Sequence, residues 1–425
     1  MKFYAYGSKG TSLALMQLAL RRALGSELAL DGVYGTETQE AVLLFQSQNA
    51  LATDGVIGPE TQRALRPYLL GAVRHRIQRG DTYWKLAQKY HSSAEAIAAA
   101  NPDAPPQNLT IGETIIVPLD FDVVPTELPV TSELVEICVH GLTLRYPFLT
   151  KGEMGRSVMG KPLWTLTVGS GENRVLYNAS HHANEWITTL ILLRFAEELC
   201  HAAVFGEKLA GYEAKELLDY ATLCLVPAVN PDGIDLVTGA LTQGEDYRAA
   251  RQIAAKYPQY RFPEDWKANI RGVDLNLQYP AGWEQARRIK FARGITSPAP
   301  GDFVGEEPLS EPESRAMADL TLRFSPALTL AYHTQGEVIF WRYGDDMPEN
   351  SRPIADALSA VSGYAVETTP EESNYAGYKD WFLRCFRRPG YTIEAGRGRN
   401  PLPLRDFPSI YERNRGLLAL AMLVT

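Results

Sequence analysis

The sequence predicts an α/β protein whose largest domain contains a mixed sheet with helices on both faces. A small helical bundle and a βααβ module are predicted to precede it. Three observations predict this order. A glycine-bearing repeat lies between helical patterns at the start of the chain, and a strand–helix–helix–strand pattern follows it. From about residue 132, short apolar runs alternate with amphipathic stretches, as buried strands and covering helices do.

The first 71 residues form the predicted helical bundle. The sequence DGVYGTET at residues 31–38 recurs as DGVIGPET at residues 54–61. Each copy reads as a turn followed by a helix start, where a threonine can cap the helix and glutamate suits its first turn. Helical spacing of apolar residues covers 12–23 and 38–49. This repeat resembles the peptidoglycan-binding-domain-1 family over essentially the whole segment.

Residues 74–119 form the predicted βααβ module. We expect a short strand from residue 75, helices over 83–90 and 93–100, and a closing strand over 113–118. Gly80-Asp81-Thr82, Asn101-Pro102 and Ile111-Gly112 make the segment similar to a LysM module. The resemblance implies binding of N-acetylglucosamine-containing glycans. Two such resemblances in tandem favour wall binding over the alternative of plain packing modules. Residues 120–131, with two prolines, are predicted to be a linker.

Composition excludes several classes of function. The chain has 425 residues, enough for two or three domains, and a net charge of −8, which argues against a basic nucleic-acid-binding surface. No segment has the roughly 18 apolar residues of a membrane span, and the start lacks a signal-like apolar run. We therefore expect a protein that is cytoplasmic or is released to the wall by a route that the sequence does not identify.

The domain predicted over residues 132–425 carries polar residues at the ends of its strands. Strands are predicted at 163–168, 174–178, 222–226, 329–333 and 391–394, and helices at 186–200 and 311–324. His182 and Glu185 follow one strand, while His333 and Glu394 end two others. Sites in open α/β sheets lie at such strand ends. Two imidazoles and a carboxylate can hold one Zn²⁺ with a position left open, and a second carboxylate can act on water.

Four separated motifs give this domain a specific resemblance. They are HANEWIT at residues 182–188, NPDG at 230–233, GVDLN at 272–276 and TIE at 392–394. In this order they resemble the zinc carboxypeptidases (carboxypeptidase A-like). The resemblance makes His182, Glu185 and His333 the zinc ligands. It makes Glu394 the general base and Asp274 the carboxylate that orients His182.

Departures from the family pattern bear on specificity. At the position that best matches the family's oxyanion arginine the chain has Lys267, and Arg271 lies nearby as the alternative cation. Asn276 is followed by Leu277, where the family has an arginine that grips the substrate's terminal carboxylate. Because leucine cannot bind a carboxylate, strict C-terminal exopeptidase action is doubtful, although Asn276 remains a candidate substrate contact.

The segment after the base points to a branch of the family. Residues 394–403, EAGRGRNPLP, resemble the bacterial γ-D-glutamyl-L-diamino acid peptidases, which cut between D-glutamate and meso-diaminopimelate or L-lysine in peptidoglycan stem peptides. Arg397 and Arg399 are either surface charges or bidentate grips for substrate carboxylates. Tyr375 is the candidate for the catalytic tyrosine that carboxypeptidases place on a mobile loop.

The sequence thus predicts a zinc metallopeptidase that cleaves peptidoglycan stem peptides and is carried on two wall-binding modules. Two alternatives remain open at this point. One is a C-terminal metallocarboxypeptidase, and the other is a non-catalytic peptidoglycan-binding protein. The sequence leaves the choice of diamino acid and the oligomeric state undecided.

Overall fold

The computed structural model describes residues 2–345 and 347–424. The chain forms two compact units, one of Met1–Leu128 with Glu133–Leu149 and one of Pro129–Ser132 with Thr150–Thr425. Across the described ranges, no helix has the length and apolar character needed to cross a membrane. The domain boundaries suggested by the sequence stay predictions.

The repeat at the start of the chain builds the same hydrogen-bonded turn twice. The Gln17 amide donates to the Asp31 carboxylate at 2.8 Å, and Gln46 donates to Asp54 at 2.8 Å. In the first copy the Gln17 carbonyl also accepts from the Gly32 amide, so one buried glutamine satisfies both sides of the turn. These turns join three helices: α1 (Thr11–Leu24), α2 (Thr36–Gln48) and α3 (Pro59–Leu70).

The threonines of the repeat do not cap the helices, so that expectation was wrong. Gly35 and Gly58 precede α2 and α3, and neither offers a side-chain cap. The hydroxyls of Thr38 and Thr61 instead accept from Gln17 and Gln46, at 3.1 and 3.2 Å. The threonines therefore belong to the buried turn network.

The βααβ module has the predicted order. It comprises β1 (Ala72–Arg76), α4 (Tyr83–Tyr90), α5 (Ala94–Ala100) and β2 (Thr114–Pro118), with β1 and β2 antiparallel. The Thr82 hydroxyl caps α4 by accepting from Lys85 N–H at 3.2 Å, and Ser93 caps α5 in the same way at 3.0 Å. An apolar core of Ile77, Leu86, Ile97, Ile115 and Val117, with Tyr83, holds the helices on the two strands.

The remaining elements are, in chain order, α6 (Ser132–Arg145), β3 (Thr150–Arg156), β4 (Pro162–Val168), β5 (Asn173–Ala179), α7 (Ile187–Phe205), β6 (Lys208–Leu209), β7 (Tyr212–Glu213), α8 (Ala214–Tyr220), β8 (Ala221–Val226), α9 (Pro231–Val237), α10 (Glu245–Ala254), α11 (Trp283–Ala292), α12 (Pro312–Phe324), β9 (Leu328–His333), β10 (Val338–Phe340), α13 (Ser351–Ser362), β11 (Ala365–Glu367), α14 (Tyr378–Phe386), β12 (Gly390–Glu394) and α15 (Phe407–Leu420).

Eight strands form a mixed sheet in the order β11-β10-β12-β9-β5-β8-β4-β3. Its centre, β12-β9-β5-β8, is parallel, and the antiparallel pairs lie on either side. All six residues of β9 are buried, as expected of a central parallel strand covered on both faces. The predicted α/β class with a mixed sheet is confirmed. Because β5, β9 and β12 run parallel, their carboxyl ends meet at one edge of the sheet.

Candidate active site and metal centre

Three side chains converge at that edge with atoms suited to one metal ion. His182 Nδ1 lies 2.9 Å from Glu185 Oε1, and His333 Nδ1 lies 2.9 Å from Glu185 Oε2. The two Nδ1 atoms are 3.2 Å apart, and all three residues are buried. Among the residues described, this is the one group of histidine, cysteine and acidic side chains with ligand atoms close enough to share an ion.

The donor set fits zinc. Two imidazole nitrogens and one carboxylate are the ligand types of catalytic zinc sites, and they leave a coordination position for water or substrate. Burial would raise the pKa of Glu185, but the adjacent His182 and His333 outweigh it and hold that pKa well below its usual range. Burial would lower the pKa of His182, but Glu185 and then Asp274 raise it to about 9. An ionised carboxylate is therefore in place to receive a cation.

Backbone and hydroxyl hydrogen bonds hold the turn that carries His182 and Glu185. The Ser180 hydroxyl lies 2.9 Å from the hydroxyls of both Thr188 and Thr189, at the start of α7. The Ala183 N–H donates to the Lys267 carbonyl at 3.0 Å. Thr188 and Thr189, which follow Glu185 in the sequence, thus help to fix the conformation of this turn.

Asn230 of the NPDG motif ties two segments together. Its amide donates to the His181 carbonyl at 3.1 Å and to the Ala268 carbonyl at 3.0 Å. Gly233, three residues after Asn230, packs closely against Ala183 of that turn. A side chain at position 233 would not fit, because its Cβ would lie only 2.7 Å from the Ala183 Cβ. The motif thus brings the turn of the metal ligands against the segment that contains Lys267.

Asp274 contacts His182 at Nε2, the ring nitrogen that does not face the metal position. Asp274 Oδ1 lies 3.2 Å from His182 Nε2 and also accepts from the Asn276 N–H at 3.1 Å. Asp274 Oδ2 accepts from the Asp302 N–H at 3.1 Å. Burial would raise the pKa of Asp274, but His182 and then Lys267 keep it well below its usual range. An ionised Asp274 favours the tautomer of His182 whose Nδ1 faces the metal position.

Glu394 and Lys267 face a cavity of about 260 Å³ together with the metal ligands. Glu394 ends β12 and is in register with His333 on β9. Its partial burial and the neighbouring Glu185 raise the pKa of Glu394 to about 8, with Lys267 opposing. Burial would lower the pKa of Lys267, but Glu185, Asp274, Asp302 and Glu394 outweigh it and raise that pKa.

Four other candidates lie apart from this cavity. The Arg271 side chain is 56% exposed and lies 3.5 Å from Glu311, so Lys267 is the better placed of the two cations. The other three bind residues that do not line the cavity. Arg397 pairs with Glu337 at 2.8 Å and Arg399 pairs with Asp265 at 3.2 Å. The Tyr375 hydroxyl donates to Glu371 at 2.9 Å. Asn276 and Leu277 do line the cavity.

Sequence reasoning did not single out other charged residues of the cavity wall. These are Lys290, Asp302, Lys379 and Asp380. Lys379 and Asp380 stand at the start of α14 between Tyr378 and Trp381, which are buried with them. Two adjacent charges within an aromatic helix start are a signal that could have identified them.

Comparisons with known proteins agree with this geometry. The zinc carboxypeptidase family matches residues 136–414, a peptidoglycan binding domain matches residues 9–65, and a LysM domain matches residues 75–118. The chain is 42% identical over 279 residues to gamma-D-glutamyl-L-diamino acid endopeptidase 1 of Lysinibacillus sphaericus, covering 66% of this chain and 68% of that protein.

Solved structures share the fold. A thrombin-activatable fibrinolysis inhibitor structure superimposes with a TM-score of 0.54 at 19% identity, covering 70% of this chain and 74% of that chain. Carboxypeptidase A from Helicoverpa armigera gives a TM-score of 0.51 at 18% identity, covering 92% of this chain and 85% of that chain. The fold, the ligand triad and the matched family model lead to one conclusion: the chain belongs to the zinc carboxypeptidase family and is a zinc metallopeptidase with peptidoglycan-binding and LysM modules.

Proposed function

We propose that this metallopeptidase cleaves the γ-D-glutamyl bond to a diamino acid, meso-diaminopimelate or L-lysine, in peptidoglycan stem peptides. The observation that carries the proposal is the 42% identity with a relative named for that bond. Leu277 supports it because this buried apolar residue lines the cavity where exopeptidases of the family place a carboxylate-binding arginine. The two wall-binding modules support the same class of substrate.

Each residue of the site has a separate role in the proposed hydrolysis. His182, Glu185 and His333 would hold zinc, which when bound polarises a carbonyl and lowers the pKa of water toward ~7. Glu394 accepts the proton of the attacking water and then delivers it to the leaving amine. Lys267 stabilises the negative oxygen that develops at the carbonyl, since its ammonium faces the same cavity.

The wall-binding modules would raise the effective concentration of substrate at the cavity. Peptidoglycan and its N-acetylglucosamine-containing glycan are the partners that such modules imply. Binding of the polymer by one part of the chain makes the encounter of the stem peptide with the cavity intramolecular, which raises its effective concentration. We propose that the protein acts either on the cell wall or on wall fragments inside the cell.

Products of digestion test the proposal directly. Zinc-loaded protein is incubated with the stem tripeptide L-Ala-γ-D-Glu-meso-diaminopimelate and with the tetrapeptide that carries a further D-Ala, or with their lysine counterparts, and the product masses are measured by mass spectrometry. We expect L-Ala-D-Glu from both, together with the free diamino acid from the tripeptide and the diamino acid joined to D-Ala from the tetrapeptide. Loss of D-Ala alone from the tetrapeptide would favour the exopeptidase alternative. An intact peptide would favour the non-catalytic one, and Glu394→Gln serves as the inactive control.

A further inference from the structure

The loop that follows the metal ligand His333 is joined to the loop that follows Glu394. The Ala395 N–H donates to the His333 carbonyl at 2.8 Å, and the Gly336 N–H donates to the Gly396 carbonyl at 2.8 Å. His333 and Glu394 are the last paired residues of β9 and β12, so these bonds extend the contact between the two strands past their ends. The backbone on both sides of the cavity mouth is thus held as one piece.

A side chain adds a third connection between these loops. The Asn400 amide donates to the Thr334 carbonyl at 3.0 Å, and the Asn400 Oδ1 accepts from the Thr334 hydroxyl at 2.7 Å. Both polar ends of one amide therefore bind the same residue. Thr334 is buried and lines the cavity, whereas Asn400 is half-buried and lies outside the residues that line it.

The residue that Asn400 holds contacts a metal ligand in turn. The Thr334 N–H donates to Glu185 Oε2 at 3.3 Å, and the same oxygen lies 2.9 Å from His333 Nδ1. The other oxygen, Oε1, lies 2.9 Å from His182 Nδ1. A donor on one oxygen restricts the plane of the carboxylate, and hydrogen bonds of this kind orient ligands for their metal. The orientation of Glu185 therefore depends on the position of the Thr334 N–H.

We propose that Asn400 is a positioning residue for zinc binding, because it fixes Thr334 and thereby the Glu185 carboxylate. Asn400 and Glu185 between them use all three polar groups of Thr334. Without Asn400, a buried carbonyl and a buried hydroxyl would lose their partners, and unsatisfied groups of this kind favour a turn of the peptide toward water. Such a turn would also withdraw the N–H from Glu185. The inference concerns the metal site alone and holds whichever bond the enzyme cleaves.

Zinc affinity of the metal-free protein tests the inference without any substrate. Asn400→Leu keeps the branched shape of the side chain and its lack of charge, and it removes both hydrogen bonds to Thr334. We expect it to raise the Kd for zinc, measured by chelator competition at one fixed pH, by about tenfold, the lower end of the range for groups that hold metal ligands. An unchanged Kd in Asn400→Leu would overturn the inference.

Two substitutions of Thr334 test the same connection from the other side. Thr334→Val keeps the shape and the backbone N–H but removes the hydroxyl that donates to Asn400. We expect it to raise the Kd for zinc by about threefold to tenfold, the effect of one hydrogen bond. Thr334→Ser keeps the hydroxyl and should bind zinc as the unaltered protein does. Equal Kd values for the valine and serine variants would contradict the proposal.

Thr222→Val is the matched control for a general loss of stability. The Thr222 hydroxyl donates to the Gly171 carbonyl at 2.7 Å at the start of β8, the end of the sheet opposite to the metal ligands. We expect this variant to have a lower melting temperature in the metal-free state and an unchanged Kd for zinc. A rise in Kd equal to that of Thr334→Val would assign the effect to destabilisation and overturn the inference.

The measurement stays decisive if one variant or the proposed function fails. Circular dichroism of the metal-free proteins shows which variants fold, and if Asn400→Leu does not, the comparison of Thr334→Val with Thr334→Ser decides the matter. Intact stem peptides after digestion would refute the proposed function and leave the zinc affinities, which involve no peptide, as the test of Asn400.

Discussion

Two opposing effects set the pKa of Glu394 at the end of β12. Partial burial and the negative charge of Glu185 favour its protonated form, and Lys267 favours the ionised form. The balance raises the pKa of Glu394 to about 8. A carboxylate with a raised pKa takes a proton from water more readily than an ordinary glutamate, and a pKa near the working pH suits a group that first accepts and then donates a proton.

The rate of peptide cleavage should therefore depend on pH through Glu394. The base is active when ionised, so kcat/KM is expected to rise with pH and to level off above the pKa of this group. Zinc adds positive charge beside Glu394, so we expect the midpoint to lie below 8 and above the ordinary glutamate value. A pH profile checks this, with Glu394→Gln expected to lose about 10²- to 10⁴-fold in kcat. A profile in Glu394→Gln that matches the unaltered protein would refute the role.

Lys267 should contribute mainly to the transition state. Lys267→Met is expected to lower kcat by about 10²- to 10³-fold with little change in KM, and Lys267→Arg to restore part of the loss. Arg271→Met is the control, since that side chain is mostly exposed and pairs with Glu311. Steady-state kinetics on the stem tripeptide distinguish the two, and a larger loss in Arg271→Met would reverse the assignment.

Sequence alone could place the metal ligands because their motifs are local and ordered along the chain. It could not decide between Lys267 and Arg271, since they stand four positions apart and only the folded backbone shows which one enters the cavity. The same limit applies to Arg397 and Arg399, whose ion pairs with Glu337 and Asp265 depend on distant segments.

At the scale of elements, helix α12 begins with a buried acid. Glu313 accepts from the Val158 N–H at 2.9 Å and from the Asn269 amide at 3.4 Å. Burial raises the pKa of Glu313 to about 7, in spite of these hydrogen bonds. The helix start therefore accommodates the neutral acid better than the ionised one.

The stability of the fold should depend on pH through Glu313. Its pKa is higher in the folded protein than in the unfolded chain, so its contribution is complete below about pH 4.5 and is lost as pH rises through about 7. Glu313→Gln should flatten the pH dependence of the free energy of unfolding between pH 5 and 8 by about 1–3 kcal/mol. Urea unfolding at several pH values measures this slope, and an unchanged slope would contradict the assignment.

The predicted strands were those with continuous apolar runs. All five central or near-central strands were expected within one or two residues of their observed bounds, because burial on both faces leaves a clear pattern. Three strands at the sheet edges were missed. β3 is mostly polar with a bulge at Glu153 to Gly155, and β10 and β11 have three residues each, too few for alternation to be visible.

At the scale of the whole molecule, zinc should couple to proton release. The pKa of His182 is raised to about 9, so at neutral pH the metal must displace its proton. The affinity of the metal-free protein for zinc is expected to increase by about tenfold per pH unit between 6 and 8. Chelator competition measures the affinity, and removal of zinc should also lower the melting temperature. An affinity independent of pH would argue against a protonated His182.

The LysM module should affect polymer binding and leave the chemistry of small substrates unchanged. Trp84 on α4 is 66% exposed, an unusual position for a large aromatic side chain and a suitable one for stacking on a sugar ring. Trp84→Ala should weaken cosedimentation with insoluble peptidoglycan and leave kcat/KM on the soluble tripeptide unchanged. Leu44→Ala, at an exposed position of the helical bundle, is the comparison. Equal cosedimentation of both variants with the unaltered protein would exclude Trp84.

Asn230 has a consequence for redesign. Because its one amide donates to the carbonyls of His181 and Ala268, Asn230 links the turn of the metal ligands to the segment bearing Lys267. The Ala183 amide closes a second link to the Lys267 carbonyl. Transplanting the metal turn into another scaffold without Asn230 and residues 266–269 would break both links. The three segments, which are separated in the sequence, have to be moved together.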